Sequence, residues 1–441
     1  MSAGSSTASS ATRTVRLVAK PATIDLGGGT SWRTWTFNGE FPGPTIRAAA
    51  GERIRVEVEN QLDEPTSVHW HGLPVPNAMD GVSGLTQPPI EPGQSFTYEF
   101  DAAPAGTYLY HAHHGLQLDR GLVGPLIIDE PGGALDVTDY SLMLDDWLAS
   151  DPDTVFESLT RTGGGSMMGG GDAIPYSGMV ANGVLGDRAQ QPLRLAYGER
   201  LRLRLINGAA ATTFAVGITG HRMTVTHADG QAVDRVEVDS LILGMGERYD
   251  VEIRANRPGP WALLAGSVDE RAPGIVIPLA VDGANPVLPL FPSWPSELAR
   301  GRVLATDDLR ASAASEPPGA PTRIFDLSLT RVPGPGYVWT LGGVPFAHAD
   351  PLPVRAGERV RLRLVNQTMM RHPIHLHGHF FRVLNRWGAQ GPLRDTALVE
   401  GMMGRLTVEF VADNPGRWLL HCHHAYHMEG GMARVVEYVS P

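Results

Sequence analysis

Histidine pairs are the residues of this 441-residue chain with the clearest chemical potential, because four of them share one His-X-His spacing. The pairs are His69 with His71, His111 with His113, His375 with His377, and His421 with His423. Side chains two residues apart on a β-strand share a face, so each pair can direct two imidazoles into one space. Eight buried imidazoles without partners would be costly, and in the protonated form they would repel one another. The pattern therefore predicts a metal site, and imidazoles suit copper, zinc, iron or nickel, of which copper binds most tightly.

The single cysteine narrows the choice of metal. Cys422 lies inside the last histidine pair, with His427 five residues later and Met432 ten residues later. Together with the distant His372, these side chains offer two imidazoles, a thiolate and a weak thioether, which is the ligand set of blue copper. On a strand, Cys422 faces away from its two histidine neighbours. One residue can therefore bind a metal on one side while its neighbours bind metals on the other, and this short covalent path suits electron transfer.

An internal repeat of about 150 residues supplies the elements that must position these side chains. A Gly-Glu-Arg run opens an alternation of apolar and charged residues at Gly51, Gly198 and Gly357, and an asparagine follows nine residues after each glycine. This alternation predicts a half-buried strand after a glycine turn. A second repeated feature, a glycine two residues before an aromatic residue, follows each copy. The chain is therefore expected to be all-β, with three similar Greek-key β-sandwich domains in a row.

The predicted domain boundaries follow from the repeat and from composition. The three domains are placed at 14–133, 138–284 and 320–441. Residues 1–13 are small and polar and are expected to form a disordered N-terminal segment. Residues 285–319 are rich in Pro, Ala and Ser and are expected to form a linker.

The three copies differ in where histidine occurs. At one offset, the first and third domains have pairs beginning at His69 and His375, whereas the second has Val216. At the other offset, the second domain has Leu264 where its neighbours have histidine. This difference predicts a site shared between domains 1 and 3, with domain 2, which has no copper ligands, as a spacer.

Charge and hydropathy argue against several partners. The net charge is −11 and no basic block stands out, so nucleic acid is not an expected partner. No apolar run approaches the roughly 20 residues of a membrane-spanning helix. No charged-then-apolar signal peptide is present, so either the protein is cytosolic or a targeting segment was removed.

The four histidine motifs, in this order and with the run from His421 to Met432, resemble the signatures of the multicopper oxidases over nearly the whole chain. The resemblance implies three consecutive cupredoxin-like domains and four coppers per chain, one of type 1, one of type 2 and two of type 3. It implies that type 1 copper is bound by His372, Cys422, His427 and axial Met432. It implies that type 2 copper is bound by His69 and His375, and the type 3 pair by His71, His111, His113, His377, His421 and His423.

The function that the resemblance implies is an oxygen oxidoreductase. A phenolic, aromatic or metal-ion reductant would give electrons one at a time to type 1 copper, and Cys422 would connect this copper to the three-copper cluster. There, four electrons would reduce dioxygen to water. The resemblance also implies a periplasmic or secreted protein whose targeting segment is absent from this sequence.

Three carboxylates are further candidates for catalytic roles. Asp80 resembles the family acid that hydrogen-bonds near type 2 copper and helps deliver protons, although Asp-Gly also forms ordinary turns. Many relatives have a glutamate directly after the last type 1 histidine or two residues before it, where this chain has Met428 and Ala425. Glu429, one place later, is the remaining candidate for a second proton donor. Asp395 resembles the substrate-side carboxylate of laccases.

Other functions remain as alternatives. The pairs Met167–Met168, Met369–Met370 and Met402–Met403 favour a dedicated cuprous oxidase for copper detoxification, because thioethers suit Cu(I), but methionine also fills cores and loops. Copper nitrite reductases typically have two domains and lack the eight paired histidines. A non-enzymatic envelope protein on the same scaffold should show broken histidine motifs, whereas here every ligand position is filled.

Overall fold

The computed structural model describes residues 12–132, 137–164, 172, 174–186, 188, 190–284, 287–312, 320–334 and 336–440. These residues form six β-sheets, which pack in pairs as three sandwiches, so the prediction of an all-β chain is confirmed. No helix among them is both long enough and apolar enough to span a bilayer. Single turns of 3-10 helix occur at Asn77–Met79, Thr306–Asp308, Phe346–His348 and Gly388–Gln390.

The first sandwich comes from strands β1 (Thr12–Asp25), β2 (Ser31–Phe37), β3 (Ile46–Ala49), β4 (Arg53–Asn60), β5 (Val68–His71), β6 (Ser95–Asp101), β7 (Gly106–Ala112) and β8 (Val123–Asp129). Its sheets have the strand orders β2-β1-β4-β6 and β3-β8-β7-β5.

The second sandwich comes from β9 (Thr138–Trp147), β10 (Gly178–Ala181), β11 (Val184–Leu185), β12 (Leu193–Leu195), β13 (Arg200–Asn207), β14 (Phe214–Ile218), β15 (Met223–Ala228), β16 (Gln231–Val238), β17 (Ser240–Leu243), β18 (Arg248–Arg254), β19 (Gly259–Ser267) and β20 (Ile275–Val281). Helix α1 (Pro152–Thr162) follows β9. The sheet orders are β11-β10-β9-β13-β18-β15-β16 and β12-β20-β19-β14-β17.

The third sandwich comes after α2 (Ser296–Ala299) and contains β21 (Arg323–Arg331), β22 (Trp339–Leu341), β23 (Leu352–Val354), β24 (Arg359–Asn366), β25 (His372–Leu376), β26 (Phe381–Val383), β27 (Leu393–Arg394), β28 (Thr396–Val399), β29 (Arg405–Val411), β30 (Arg417–Cys422), α3 (Ala425–Glu429) and β31 (Ala433–Tyr438). The sheet orders are β22-β21-β24-β29-β26-β27 and β23-β31-β30-β25-β28.

The alternating repeat folds as a half-buried strand. In β4, the apolar residues Ile54, Val56 and Val58 are fully buried, while the charged residues between them are partly exposed. Strand β24 has the same alternation in domain 3. This two-residue period fixes which face of each sheet reaches the core, and a shift by one residue would reverse it.

The histidine pairs lie on strands that pair with each other. In domain 1, β5 runs antiparallel to β7 and places His69 opposite His111. In domain 3, β25 runs antiparallel to β30 and places His375 opposite His421. Each pairing therefore sets two His-X-His motifs side by side, and the corresponding strands of domain 2, β14 and β19, contain no histidine.

One predicted boundary needs correction, and the predicted linker makes a contact that its composition did not indicate. Strand β1 begins at Thr12, so the last two residues of the predicted disordered segment 1–13 are in a strand, and the rest lie outside the described residues. The described part of the predicted linker, 287–312, packs against domain 2, where Leu298 is buried with Ala262 and Leu264. The Pro-, Ala- and Ser-rich composition that predicted a linker did not indicate this apolar contact.

Domain 2 does more than the spacer role predicted for it, because a buried arginine on β18 joins all three domains. Arg248 is inaccessible to solvent and donates two hydrogen bonds to Asp395 of domain 3, at 2.7 and 2.6 Å. Its Nε donates to the carbonyl oxygen of Thr107 in domain 1, at 3.0 Å. In the opposite direction, Arg394 of domain 3 donates to Asp229 and Glu247 of domain 2. The charges on both sides of the interface are therefore paired.

We expect Arg248→Met to lower the free energy of unfolding of the copper-free protein by about 3–5 kcal/mol, because Asp395 would stay buried without its main partner. The matched control is Arg222→Met, since Arg222 is 55% exposed in its pair with Asp239 and should contribute only about 0–1 kcal/mol. Urea titrations would measure both. Equal, small losses in the two variants would contradict a role for Arg248 in joining the domains.

Candidate metal centre

The paired strands bring two groups of potential ligands close together. The first, which we call the histidine cluster, lies between domains 1 and 3 and consists of the eight histidines of the four His-X-His pairs. The second, which we call the thiolate site, lies within domain 3 and contains His372, Cys422 and His427. All of these side chains are buried.

The ring nitrogens of the histidine cluster form distinct groups. In each of two triads, one nitrogen per ring lies within 4.8 Å of the others; the triads are His71, His111 and His423, and His113, His377 and His421. The remaining two rings, His69 and His375, face each other with their Nε2 atoms 3.4 Å apart. Every group combines residues from domains 1 and 3. The family resemblance assigned the six triad histidines together to the type 3 pair. The geometry divides them into two sets of three.

Hydrogen bonds fix which nitrogen of each ring faces the cluster. His69 Nδ1 donates to the carbonyl oxygen of Asp80 at 2.8 Å, and His375 Nδ1 donates to that of Asp395 at 2.9 Å. His377 Nδ1 lies 3.1 Å from both carboxylate oxygens of Asp80. Because these partners are acceptors, each ring has its proton on Nδ1 and presents the lone pair of Nε2 to the cluster.

Buried ring nitrogens without a hydrogen-bond partner indicate whether the cluster fits a metal. Within the histidine cluster, the buried atoms without a hydrogen-bond partner are His71 Nδ1, His111 Nε2, His113 Nε2 and both ring nitrogens of His423. His71 Nε2 already contacts Thr396 Oγ1 at 3.0 Å, so its Nδ1 is the atom left for a ligand role. Buried polar atoms without partners are rare and costly, and a metal ion bound by these lone pairs removes the cost. The side chains therefore fit copper.

The environment of the cluster lowers the pKa of seven of its eight imidazoles. Burial lowers the pKa of His111 to about 3 and that of His421 to about 4. Burial and then neighbouring imidazoles hold the pKa well below its ordinary value at His71, His113, His375, His377 and His423. The neutral imidazole is the form that binds metal, so these rings are ready for a metal at physiological pH.

At the thiolate site, too, one nitrogen of each imidazole is hydrogen-bonded and the other faces the site, but here the nitrogen that faces the site is Nδ1. Cys422 Sγ lies 3.6 Å from His372 Nδ1 and 3.7 Å from His427 Nδ1, and these two nitrogens are 3.1 Å apart. The outward nitrogens are occupied, because His372 Nε2 contacts Thr368 Oγ1 and His427 Nε2 contacts an Asp172 carboxylate oxygen, both at 2.8 Å. The two Nδ1 atoms and the sulfur therefore converge on one point.

The chain around Cys422 folds back on itself and links the two groups. Helix α3 returns His427 to Cys422, whose N–H donates to the carbonyl oxygen of Met432 at 3.0 Å. Met432 is fully buried. Burial raises the pKa of the Cys422 thiol well above its ordinary value, so a bound cation is needed to hold it as thiolate. On the other side, His421 Nδ1 donates to the Cys422 carbonyl oxygen at 2.9 Å, which adds a hydrogen bond to the covalent path between the two groups.

The three candidate acids occupy different places. Asp80 is fully buried and contacts rings from both domains. Glu429 is solvent-exposed at a cavity of about 690 Å³ that His113 also lines, and partial desolvation by the cavity wall raises the pKa of Glu429.

The expected substrate-side role of Asp395 needs correction. Its side chain is 1% exposed and held by Arg248, and its Oδ1 lies 3.2 Å from His71 Nε2. This places Asp395 beside the histidine cluster instead of at the thiolate site, where a reductant would arrive. Arg248 of domain 2 holds Asp395 at this position, and no sequence motif of domain 3 indicates that contact.

Several contacts in the site had no signal in the sequence. Asp172, Thr368 and Thr396 each hydrogen-bond a candidate ligand, yet they stand outside the histidine motifs. Domain 2 also forms part of the cluster wall, since a Cβ at Gly246 would lie 2.8 Å from ring atoms of His71 and His423. Only glycine fits there, and its φ of +78° also favours glycine. Asp172 and Gly246 reach the site through contacts between domains, whereas Thr368 lies only four residues before His372 and belongs to no motif.

We expect the copper-free protein to lose stability as the pH falls below 6.5. Histidines of the unfolded chain take up protons near 6.5, whereas folded His421 does so only near 4 and folded His111 near 3. The unfolded state therefore binds more protons across this window, and each such histidine costs up to about 1.4 kcal/mol per pH unit. Thermal unfolding of copper-free protein should show a steeply falling midpoint between pH 6.5 and 5. A constant midpoint would show that the rings protonate freely in the fold.

Comparisons with known proteins agree with this geometry. Three family models, each described as multicopper oxidase, match residues 19–133, 138–280 and 320–440. The chain is 39% identical to multicopper oxidase MmcO of Mycobacterium tuberculosis, over 97% of this chain and 87% of that protein. It is 31% identical to a copper resistance protein A homolog of Pseudomonas syringae pv. tomato, over 91% of this chain and 88% of that protein. The crystal structure of a laccase from Botrytis aclada superposes with a TM-score of 0.83 at 28% identity, covering 98% of this chain and 88% of that chain. The chain therefore belongs to the multicopper oxidases.

Proposed function

We propose that the thiolate site binds type 1 copper and the histidine cluster binds type 2 copper and a type 3 pair. The observation that carries the proposal is the position of Cys422, whose sulfur faces two imidazole Nδ1 atoms while its neighbours His421 and His423 join the triads. In this proposal the type 1 ligands are His372, Cys422, His427 and Met432. The type 2 ligands are His69 and His375, and each triad holds one type 3 copper.

The reaction is the family reaction, oxidation of a reductant by one-electron steps coupled to reduction of dioxygen to water. Bound copper supplies the electron acceptor at the thiolate site and the four-electron reduction of dioxygen in the cluster. The chain separates the two half-reactions, because one cavity is lined by Asp172 and His424, which contact His427, and a different one is lined by His113. Cys422 and its bonded neighbours form the shortest covalent link between them.

Proton delivery is the second task of the chain, since two waters require four protons. Asp80 contacts His377 and His69 from inside the cluster, where a carboxyl group can pass a proton to a reacting oxygen. Glu429 borders the cavity that reaches His113, and desolvation raises its pKa, which favours the protonated form that can donate a proton. We propose Asp80 as the inner donor and Glu429 as the outer donor.

The cavity beside the thiolate site, which we call the reductant cavity, has a volume of about 340 Å³. It suits a small phenol or aromatic amine. Its wall also contains the thioethers of Met245, Met369, Met370 and Met402, which favour a second candidate, a cuprous ion. Met402 and Met403 have φ of +57° and +69°, a strained conformation for residues other than glycine, and both are exposed. Met167 and Met168 lie outside the described residues.

We also propose that the protein works in the periplasm or outside the cell. This proposal rests on the resemblance of the histidine motifs to exported members of the family. Fractionation of the source cells with an antibody against this chain tests it, and recovery in the cytoplasmic fraction would overturn it.

Substitution of the bridging cysteine tests the assignment. We expect copper-loaded wild-type protein to be blue, and Cys422→Ser to lose the blue band because the thiolate is its source. The variant should still bind about three coppers per chain, since none of its cluster ligands changes. Retention of the blue band in Cys422→Ser would contradict the proposed type 1 site.

The two proton donors should be separable by pH. We expect Asp80→Asn to lower the rate of dioxygen reduction by about 10²–10⁴-fold at all pH values, and Glu429→Gln to lower it less and mainly at high pH. The measurement is reoxidation of fully reduced protein in a stopped-flow instrument. Glu437→Gln, at a partly exposed position of β31 where Glu437 pairs with Arg417, is the matched control. Reoxidation of Asp80→Asn at the wild-type rate would exclude the inner donor.

The two reductant classes should respond differently to loss of the exposed thioethers. If Cu(I) is the physiological donor, the double variant Met402→Leu, Met403→Leu should raise KM for Cu(I) by roughly tenfold and leave KM for 2,6-dimethoxyphenol unchanged. Met223→Leu, in the core of domain 2, is the control. An unchanged KM for Cu(I) would favour a phenolic reductant.

A further inference from the structure

The type 1 histidine that a reductant would approach is enclosed. His427 is 0% exposed, and its outward Nε2 is bonded to Asp172. The ring of Trp339 lies against one side, with centroids 4.0 Å apart. The ring of His424 lies parallel to it, with centroids 3.6 Å apart and an interplanar angle of 6°. Among the residues that border the reductant cavity, His424 is present and His427 is absent.

His424 combines a buried ring at the reductant cavity with a ring nitrogen that has no hydrogen-bond partner. It is 2% exposed, yet its Nδ1 has no hydrogen-bond partner. Its Nε2 lies 3.8 Å from the Asp172 carboxylate, which favours the proton on Nε2 and leaves a lone pair on Nδ1. An unpaired buried acceptor is costly, so a ligand that donates to it would bind favourably.

We propose that His424 is the residue through which reductants contact the type 1 site: its Nδ1 accepts a hydrogen bond from a phenol O–H or an aromatic amine N–H, and its stacked ring passes the electron to His427. This inference rests on the proposed function and adds the contact residue and the substrate class. His424 touches the substrate in this scheme and is therefore a catalytic residue.

The step balances as a one-electron oxidation. A phenol in the reductant cavity loses one electron and its O–H proton, and leaves as a neutral phenoxyl radical. The proton passes to water in the cavity. The electron would pass through the His424 and His427 rings, and copper bound at the thiolate site would be its one-electron acceptor.

Asp172 is the competing contact, because it borders the same cavity and bonds to His427 directly. Its Oδ2 also accepts the hydroxyl of Tyr337. The other oxygen of Asp172 could accept from a substrate, but Asp172 has no conjugated ring stacked on His427. His424, with a free lone pair and a conjugated ring, offers the better path.

Three variants of the copper-loaded full chain separate binding from electron passage. His424→Phe keeps a stacked ring and removes Nδ1, His424→Leu removes both, and Asp172→Asn keeps an acceptor for His427. His221→Phe is the matched control, since His221 is a buried histidine of domain 2 packed on Trp261. The measurement is anaerobic bleaching of the blue band by 2,6-dimethoxyphenol and by ferrocyanide, which has no hydrogen-bond donor. The blue band and the type 1 potential are recorded for every variant.

We expect His424→Phe to weaken apparent binding of the phenol by about threefold to tenfold, the contribution of one hydrogen bond, and to leave bleaching by ferrocyanide unchanged. His424→Leu should slow bleaching by both donors by roughly tenfold or more at saturation, with the blue band and potential unchanged. Asp172→Asn should slow bleaching less than His424→Leu.

Three results would overturn the inference. The first is wild-type bleaching in both His424 variants. The second is slowing in Asp172→Asn that exceeds slowing in His424→Leu. The third is an altered blue band or potential in both His424 variants, which would mean that the ring only holds His427 in place. Failure of the proposed function would look different, because the wild-type protein would then bind copper without a blue band or without dioxygen consumption.

Discussion

Desolvation of histidine is the constraint on which the rest of this structure depends. Eight rings are removed from water in one place, and at seven of them burial and neighbouring imidazoles hold the pKa below its ordinary value. Neutral rings still need partners for two nitrogens each. The fold gives one nitrogen of most rings a carbonyl, a hydroxyl or a carboxylate, and it directs the other to the common centre. The remaining lone pairs are satisfied only by a cation, so the same burial that costs free energy in the empty protein orients the ligands for metal.

The arrangement of the domains explains how the rings reach a common centre. A single strand pair can present two His-X-His motifs, but the triads need rings from two directions, and domains 1 and 3 supply them. Domain 2 closes the site through Gly246 and joins its neighbours through Arg248. The buried ion pair with Asp395 also holds the backbone carbonyl that orients His375. A domain without metal ligands therefore contributes to the position of the metal ligands.

The local periodicity of the sequence was enough to predict most of the fold. The alternation in β4 and β24, and its repetition, predicted the half-buried strands and the three all-β units. The spacing of Cys422 and its neighbours likewise predicted which side chains converge. What the sequence could not show are contacts between residues far apart in the chain. Asp395 was expected near the reductant because of its neighbours in sequence, but Arg248, 147 residues earlier, holds it at the cluster. Asp172 follows a glycine-rich stretch with no motif, and only the folded chain places it on His427. The division of six histidines into two triads depends on the angle between domains, which no one-dimensional pattern encodes.

The most direct test of the two-site arrangement is a crystal structure of the copper-loaded protein with anomalous diffraction data recorded at the copper absorption edge. We expect one peak between Cys422, His372 and His427. We expect three more inside the histidine cluster, one in each triad and one between His69 and His375. A cluster with a single peak, or with none, would contradict the claim that these buried imidazoles are arranged to bind three coppers beside a thiolate-bound fourth.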